Sequence, residues 1–219
     1  GNTPLLLVKN LETGPCNLYL KLESFNLGGS IKDRPAKNMI IDAEKRGILK
    51  KGGTIVEATA GNTGIALAIM AVKRGYKVVI IVPDKMTVEK VYHLKALGAE
   101  VIVARSDVVN GHPEYYLEIA KRIAIERKAF YINQFSNQAN IKSHIKDLGP
   151  EIYKQLNGKI HAFVAGVGTG GTISGIGKFL KSKNKKCELV LADPKGSILK
   201  DLIKTGKVNK NVGSWIVEG

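Results

Sequence analysis

The chain has 219 residues, 44% of them hydrophobic and 24% charged, the composition of an ordinary globular protein of one or two domains. No apolar run approaches the roughly 18 residues that span a bilayer, and two distant cysteines and four histidines show neither pairing nor ligand spacing. The net charge of +15 is scattered along predicted helices, with one local run, KSKNKK, and no interleaved aromatics. A membrane protein, a disulfide scaffold, a metal site and a nucleic-acid partner are therefore not expected. The opening GNTPLL carries no charged-then-apolar leader, and the cytoplasm is the expected compartment.

Strand-like runs alternate with helical patterns along the chain. The strand candidates are 18–23, 53–59, 76–83, 99–105, 129–134, 160–167 and 187–194. Helical patterns fill 33–47, 64–75, 87–98, 113–128, 141–158 and 172–183. Several end in Lys or Arg followed by Gly, as at Arg46-Gly47 and Arg74-Gly75. The alternation predicts parallel sheets covered by helices on both faces, and the continuous apolar runs fit buried parallel strands.

Three strand-to-helix junctions carry possible chemistry. In FNLGGSIKDRP, two glycines and a serine bring the chain to Lys32 at a helix start. Ser30 with Asp33 fits a capping box, while Pro35 argues for a start nearer Asp33. The helix N-terminus and the adjacent Arg34 are both expected to disfavour the ammonium, leaving a free amine able to attack an aldehyde. A solvated loop lysine fits the same spacing. In EATAGNTGIALA, Gly61 and Gly64 flank Asn62 and Thr63 just before a helix, a place suited to a carboxylate or phosphate. A glycine-assisted turn capped by Asn or Thr is the simpler alternative. In VAGVGTGGTISGIG, Gly166, Gly168 and Gly171 satisfy G-x-G-x-x-G after a strand, with Asp193 at the end of the next one. That pattern also fits an NAD-dependent dehydrogenase. Either way it implies a phosphate on the amides of residues 168–172, helped by Thr169 and Thr172.

An amine, a polar Asn-Thr loop and a phosphate cradle at the C-terminal ends of parallel strands match one ligand in particular. Pyridoxal 5′-phosphate has an aldehyde for Lys32 and a phosphate for the glycine loop.

At this point the chain resembles the cysteine synthase and cystathionine β-synthase family of fold-type II pyridoxal-phosphate enzymes, in a C-terminally truncated form. GNTPLL, KLE, GGSIKDR, TAGNTG, VPDKMTVEK, ALGAEV, INQF, GVGTGGT and ADPKGSIL occur in the family's order over the whole chain. The resemblance implies two doubly wound parallel-sheet α/β subdomains of the tryptophan synthase β-like kind. A smaller mobile domain, 35–135, would be inserted in a larger cofactor-binding domain made of 1–34 and 136–219. It implies that Lys32 is catalytic and carries the cofactor, that Asn62 bonds the pyridine 3′-oxygen, and that Gly168, Thr169, Gly170, Gly171 and Thr172 hold the phosphate. Thr59, Ala60, Asn62, Thr63 and Gln134 would receive the substrate carboxylate.

The implied reaction is β-replacement on serine or O-acetylserine, with sulfide or homocysteine as acceptor, by a homodimer. A serine/threonine dehydratase and, if the truncation is natural, a non-catalytic binding module are the alternatives. Three departures bear on substrate choice. Leu27 replaces a common proline, Ala60 replaces a serine and so removes a hydroxyl, and Gln138 and Ile141 replace two further prolines. The chain stops at SWIVEG, where the family continues through more strands and supplies a hydroxyl for the pyridine nitrogen. A fragment with exposed strand edges and little activity is expected.

Overall fold

The structure is a computed structural model, and it describes residues 1–208. SWIVEG, the segment bearing on further strands, lies outside the described residues. The fold divides into two units, Gly1–Ser143 and the part from His144 on.

The first unit opens with β1 (Leu5–Val8) and β2 (Leu18–Lys21), paired antiparallel with Leu5 opposite Lys21. The sequence pattern does not announce β1, and this pair departs from the parallel expectation. A 3-10 turn at Glu23–Phe25 leads to α1 (Asp33–Lys45). Next come β3 (Thr54–Ala58), α2 (Asn62–Lys73), β4 (Lys77–Pro83), α3 (Val88–Ala96) and β5 (Glu100–Ala104). The unit ends with α4 (Tyr116–Glu126), β6 (Phe130–Tyr131) and α5 (Gln138–Ser143). Strands β3 to β6 form one parallel sheet in the order β5-β4-β3-β6.

Helices cover both faces of this sheet, which is why its central strands are apolar without alternation. On one side Ile55, Ile80 and Val82 pack with Met39 and Ile40 of α1, Leu67 of α2 and Leu94 of α3. On the other, Val56, Ala58, Val79 and Ile81 pack with Ala120, Ile123 and Ala124 of α4. The edge strand β5 still leaves Val103 exposed.

The second unit begins with a π-helical turn, His144–Leu148, followed by α6 (Gly149–Gln155). The single helix expected over 141–158 thus starts earlier and changes its winding at His144. Then come β7 (Ala162–Ala165), α7 (Gly171–Lys183), β8 (Glu188–Leu191) and α8 (Leu199–Thr205). Strands β7 and β8 run parallel, with Ala162 opposite Glu188. Among the described residues no helix is long and apolar enough to cross a membrane.

Two charged residues in the interior of the first unit stand out. Arg34, 3% exposed, donates to Glu23 through Nε at 2.7 Å and through Nη2 at 2.9 Å. Thr3 and Asn26 also donate to that carboxylate, at 2.6 and 3.0 Å. Burial alone would raise the Glu23 pKa, but Arg34 and these donors bring it below the usual value. The network fastens the β2–α1 segment to the first turn of α1. Removing the guanidinium leaves a buried carboxylate without its partner, which costs about 3 kcal/mol or more. Arg34→Met should therefore lower the denaturant midpoint clearly, while Glu44→Ala, on an exposed pair with Arg74, should lower it far less.

The other is Glu57 on β3, 0% exposed and opposite Ile80 in the ladder. Burial pushes its carboxyl from 4.5 up to about 8, against partial opposition from nearby N–H groups of Gln134 and Asn133. Between these two values the unfolded chain gives up this proton while the folded chain keeps it, so rising pH favours unfolding. Tyr116 and Tyr131, which feel the Glu57 charge, are raised chiefly by burial, Tyr116 to about 12, and stay neutral throughout. The expected result is that the melting temperature of Glu57→Gln gains on the wild type from about pH 4.5 to about pH 8 and then levels. The gain corresponds to at most about 1.4 kcal/mol per pH unit. A constant difference across that range would contradict a buried neutral carboxyl.

Candidate active site

Lys32 is placed by two glycines that are needed for different reasons. Gly28 donates its N–H to Asp33 Oδ2 at 2.7 Å, and a Cβ on Gly28 would collide with that same carboxylate. Gly29 sits at φ +73, the left-handed region that a glycine enters without strain, and donates to the Asn26 carbonyl at 2.8 Å. The Lys32 N–H then donates to Ser30 Oγ at 3.2 Å, and the Lys32 carbonyl accepts from Ala36 at 3.0 Å. Lys32 is thus the N-cap of α1, which starts at Asp33 as Pro35 argues. The Ser30–Asp33 capping box does not form, because Asp33 faces Gly28.

Burial lowers the Lys32 pKa, so more of its amine is neutral than in a solvated lysine. The part expected of Arg34 is not met. Its guanidinium is held by Glu23, and desolvation is what disfavours the ammonium.

Helix α1 packs against α2, whose first turn carries the second group of candidates. Thr59 and Thr63 are buried, and Ala60 and Asn62 are half-buried. The N-cap Gly61 has no side chain to cap the helix, and of the first turn the Gly64 N–H donates to the Gly61 carbonyl at 3.0 Å. Gly61 donates to Thr59 Oγ1 at 3.2 Å, which folds the Thr59–Asn62 turn on itself. The Thr63 hydroxyl donates to Gln134 Oε1 at 2.8 Å, across 71 residues of sequence. The structure thus brings Thr59, Ala60, Asn62, Thr63 and Gln134 to one end of the sheet, beyond β3 and β6.

Glu57 and Asn133 belong to the same neighbourhood and were not singled out from the sequence. Asn133 takes φ +50, unusual for a side-chain-bearing residue, at the turn out of β6. A lone acid inside the apolar run TIVEA is the one sequence signal that marks Glu57.

In the second unit, Gly168, Thr169 and Gly170 form the loop between β7 and α7, and Gly171 and Thr172 begin the helix. Gly170 is the N-cap at φ +80 and itself offers no side chain to cap the helix. No atom lies within 4 Å of where a Cβ on Gly168 would stand, and no left-handed φ is recorded there. Neither packing nor backbone strain asks for glycine at that position. Thr169 Oγ1 accepts from Gly171 N–H at 3.4 Å, and Thr172 Oγ1 lies 3.4 Å from Nε2 of the buried His144. His144, in the π turn, is a neighbour of the loop that the sequence reading did not use. Asp193, the acid of the dinucleotide pattern, instead accepts the Lys200 N–H at 3.0 Å.

The profile of a family described as "Pyridoxal-phosphate dependent enzyme" matches residues 1–219. A cysteine synthase of Dictyostelium discoideum is 44% identical over 219 residues, covering 100% of this chain and 58% of that protein. A cystathionine beta-synthase of Apis mellifera is 43% identical over 223 residues, covering 100% of this chain and 44% of the other. The chain thus spans about half the length of these curated relatives. Among solved structures, an O-ureido-L-serine synthase superposes with TM-score 0.87 at 32% identity, covering 98% of this chain and 67% of that one. A hydrogen sulfide-producing enzyme from Fusobacterium nucleatum superposes with TM-score 0.86 at 39% identity, covering 95% and 68%. The glycine-rich loop, the desolvated lysine and the full-length match agree: the chain belongs to the pyridoxal-phosphate dependent enzymes.

Proposed function

We propose that the protein of which this chain is part catalyses β-replacement on serine or O-acetylserine, with sulfide or homocysteine as the incoming nucleophile. The Cβ–O bond breaks, a Cβ–S bond forms, and water or acetate leaves, giving cysteine or cystathionine. One observation carries the reading. A half-buried lysine whose ammonium form desolvation disfavours starts α1, and α1 packs on the helix whose first turn presents Asn62 and Thr63, the latter bonded to Gln134.

The residues present fit pyridoxal 5′-phosphate. Gly168, Thr169, Gly170, Gly171 and Thr172 would take its phosphate on backbone N–H groups and two hydroxyls, in space that a Cβ at Gly168 would enter. Lys32 would take its aldehyde, and Asn62 would bond its ring hydroxyl oxygen. When bound, the cofactor supplies a carbonyl for amines and an electron sink for charge left at an α-carbon.

The side chains divide the remaining work. Lys32 Nζ, whose ammonium form burial disfavours, accepts the proton from the substrate Cα as general base. Thr59, Asn62, Thr63 and Gln134, with the backbone at Ala60, hold the substrate carboxylate and so fix the Cα–H bond in one direction. Ala60 offers no hydroxyl there, which leaves Thr59 and Thr63 as the alcohol donors of the loop.

A mobile domain of 35–135 inserted in 1–34 and 136–219 is part of this proposal. Its support is that the four-stranded sheet lies wholly within residues 54–131. Homodimer formation is supported by Leu6, Tyr19 and Leu20, apolar and exposed on the β1–β2 pair. A cytoplasmic location is supported by two free cysteines, Cys16 exposed and Cys187 buried.

In the complete protein loaded with cofactor, Lys32→Ala should lower turnover by roughly 10²–10⁴-fold or more. Lys32→Arg should do no better, since a guanidinium stays charged. Asn62→Ala should keep the fold and weaken cofactor binding by about tenfold, the worth of one buried hydrogen bond. Wild-type protein that forms neither cysteine from sulfide nor cystathionine from homocysteine would overturn the assignment.

A further inference from the structure

Glu57 takes no part in the chemistry above, yet its placement is costly. It is 0% exposed, and neither carboxyl oxygen closes a hydrogen bond. The neighbouring core positions of β3 are Ile55, Val56 and Ala58, so an apolar residue would fill the same space without that cost. The polar groups around the carboxyl are the backbone N–H groups of Ala58, Asn133 and Gln134 and the side chain of Gln134. Three of these four belong to the segment that carries a substrate-binding candidate.

Gln134, 6% exposed, is held from several directions. Its backbone carbonyl accepts from Asn140 Nδ2 at 3.0 Å. Its side-chain oxygen accepts from the Thr63 hydroxyl at 2.8 Å. The side-chain NH₂ is then the part of the amide left to donate, and Glu57 is an acceptor beside it. Turning the amide over would set an NH₂ against the Thr63 hydroxyl and change which way that hydroxyl points.

We propose that Glu57 is a positioning residue for the amino-acid carboxylate. Its buried carboxyl fixes the orientation of the Gln134 amide, and through Gln134 that of the Thr63 hydroxyl. The inference rests on the reading that Thr63 and Gln134 receive that carboxylate. A neutral carboxyl suits the task, because a second negative charge beneath the loop would repel the ligand, and burial favours the neutral form. Glutamine has the same shape and keeps an acceptor oxygen; leucine and methionine keep volume and lose the polarity.

The test uses the complete protein loaded with pyridoxal 5′-phosphate. Dissociation constants are measured from the cofactor absorbance for L-serine and for ethanolamine, which is serine without its carboxylate. Glu57→Leu should weaken L-serine by about tenfold, the value of one polar contact, and leave ethanolamine within about twofold. Glu57→Gln should restore L-serine affinity to within about threefold of wild type. Should the leucine variant not fold, Glu57→Met takes its place under the same criteria. Unchanged L-serine affinity in the apolar variant would overturn the proposal. Equal losses for both probes, or a glutamine variant as weak as the apolar one, would overturn it too. Thr63→Ala separates the two levels. Loss of L-serine affinity there with none in the apolar Glu57 variant removes only the part given to Glu57. No loss in Thr63→Ala removes the carboxylate site itself, and the inference with it.

Discussion

Partial withdrawal of the Lys32 amine from water is the constraint that the loop leading into α1 serves. An ammonium loses much of its hydration when buried, so the equilibrium moves toward the neutral amine, the form that can attack a carbonyl or accept a proton. Holding a lysine there requires a backbone that turns into α1 without adding another uncompensated charge. Gly29 supplies the left-handed turn, Gly28 the clearance for Asp33, and Glu23 neutralises Arg34, the nearest cation in sequence. The Glu23–Arg34 pair therefore acts on Lys32 by anchoring the loop, and by keeping a guanidinium engaged elsewhere.

The second organising fact is a parallel sheet buried on both faces. Such a sheet has nowhere to place polar groups except at the ends of its strands, where the loops are. Thr59, Asn62, Thr63 and Gln134 all follow strand ends, and β3 and β6 are neighbours in the ladder, so residues 71 positions apart share a hydrogen bond. Glu57 is the exception within a strand. It stands two residues before Thr59, with groups of Asn133 and Gln134 around its carboxyl.

Much of this was legible from sequence because local chemistry dictated it. Helix termini, glycine turns and apolar strand runs are short-range signals, and the G-x-G-x-x-G loop stands before α7 as its pattern requires. What escaped was set by distant partners. The strand β1 is four residues long and exists through its antiparallel pairing with β2, so GNTPLL reads locally as a loop. The π turn at His144–Leu148 changes winding without changing apolar spacing enough to show. Arg34 was read by its neighbour in sequence, Lys32, whereas its partner in space is Glu23, eleven positions back. The Thr63–Gln134 bond could be expected only through family resemblance, since no spacing rule joins the two positions.

The central claim is that Lys32, among all the lysines of the chain, is the one placed to meet an aldehyde. The most direct measurement is borohydride reduction of the cofactor-loaded complete protein, followed by peptide mapping of the phosphopyridoxyl group. The account predicts the label on the peptide containing Gly29-Ser30-Ile31-Lys32. A label on any other lysine, with Lys32 unmodified, would contradict it.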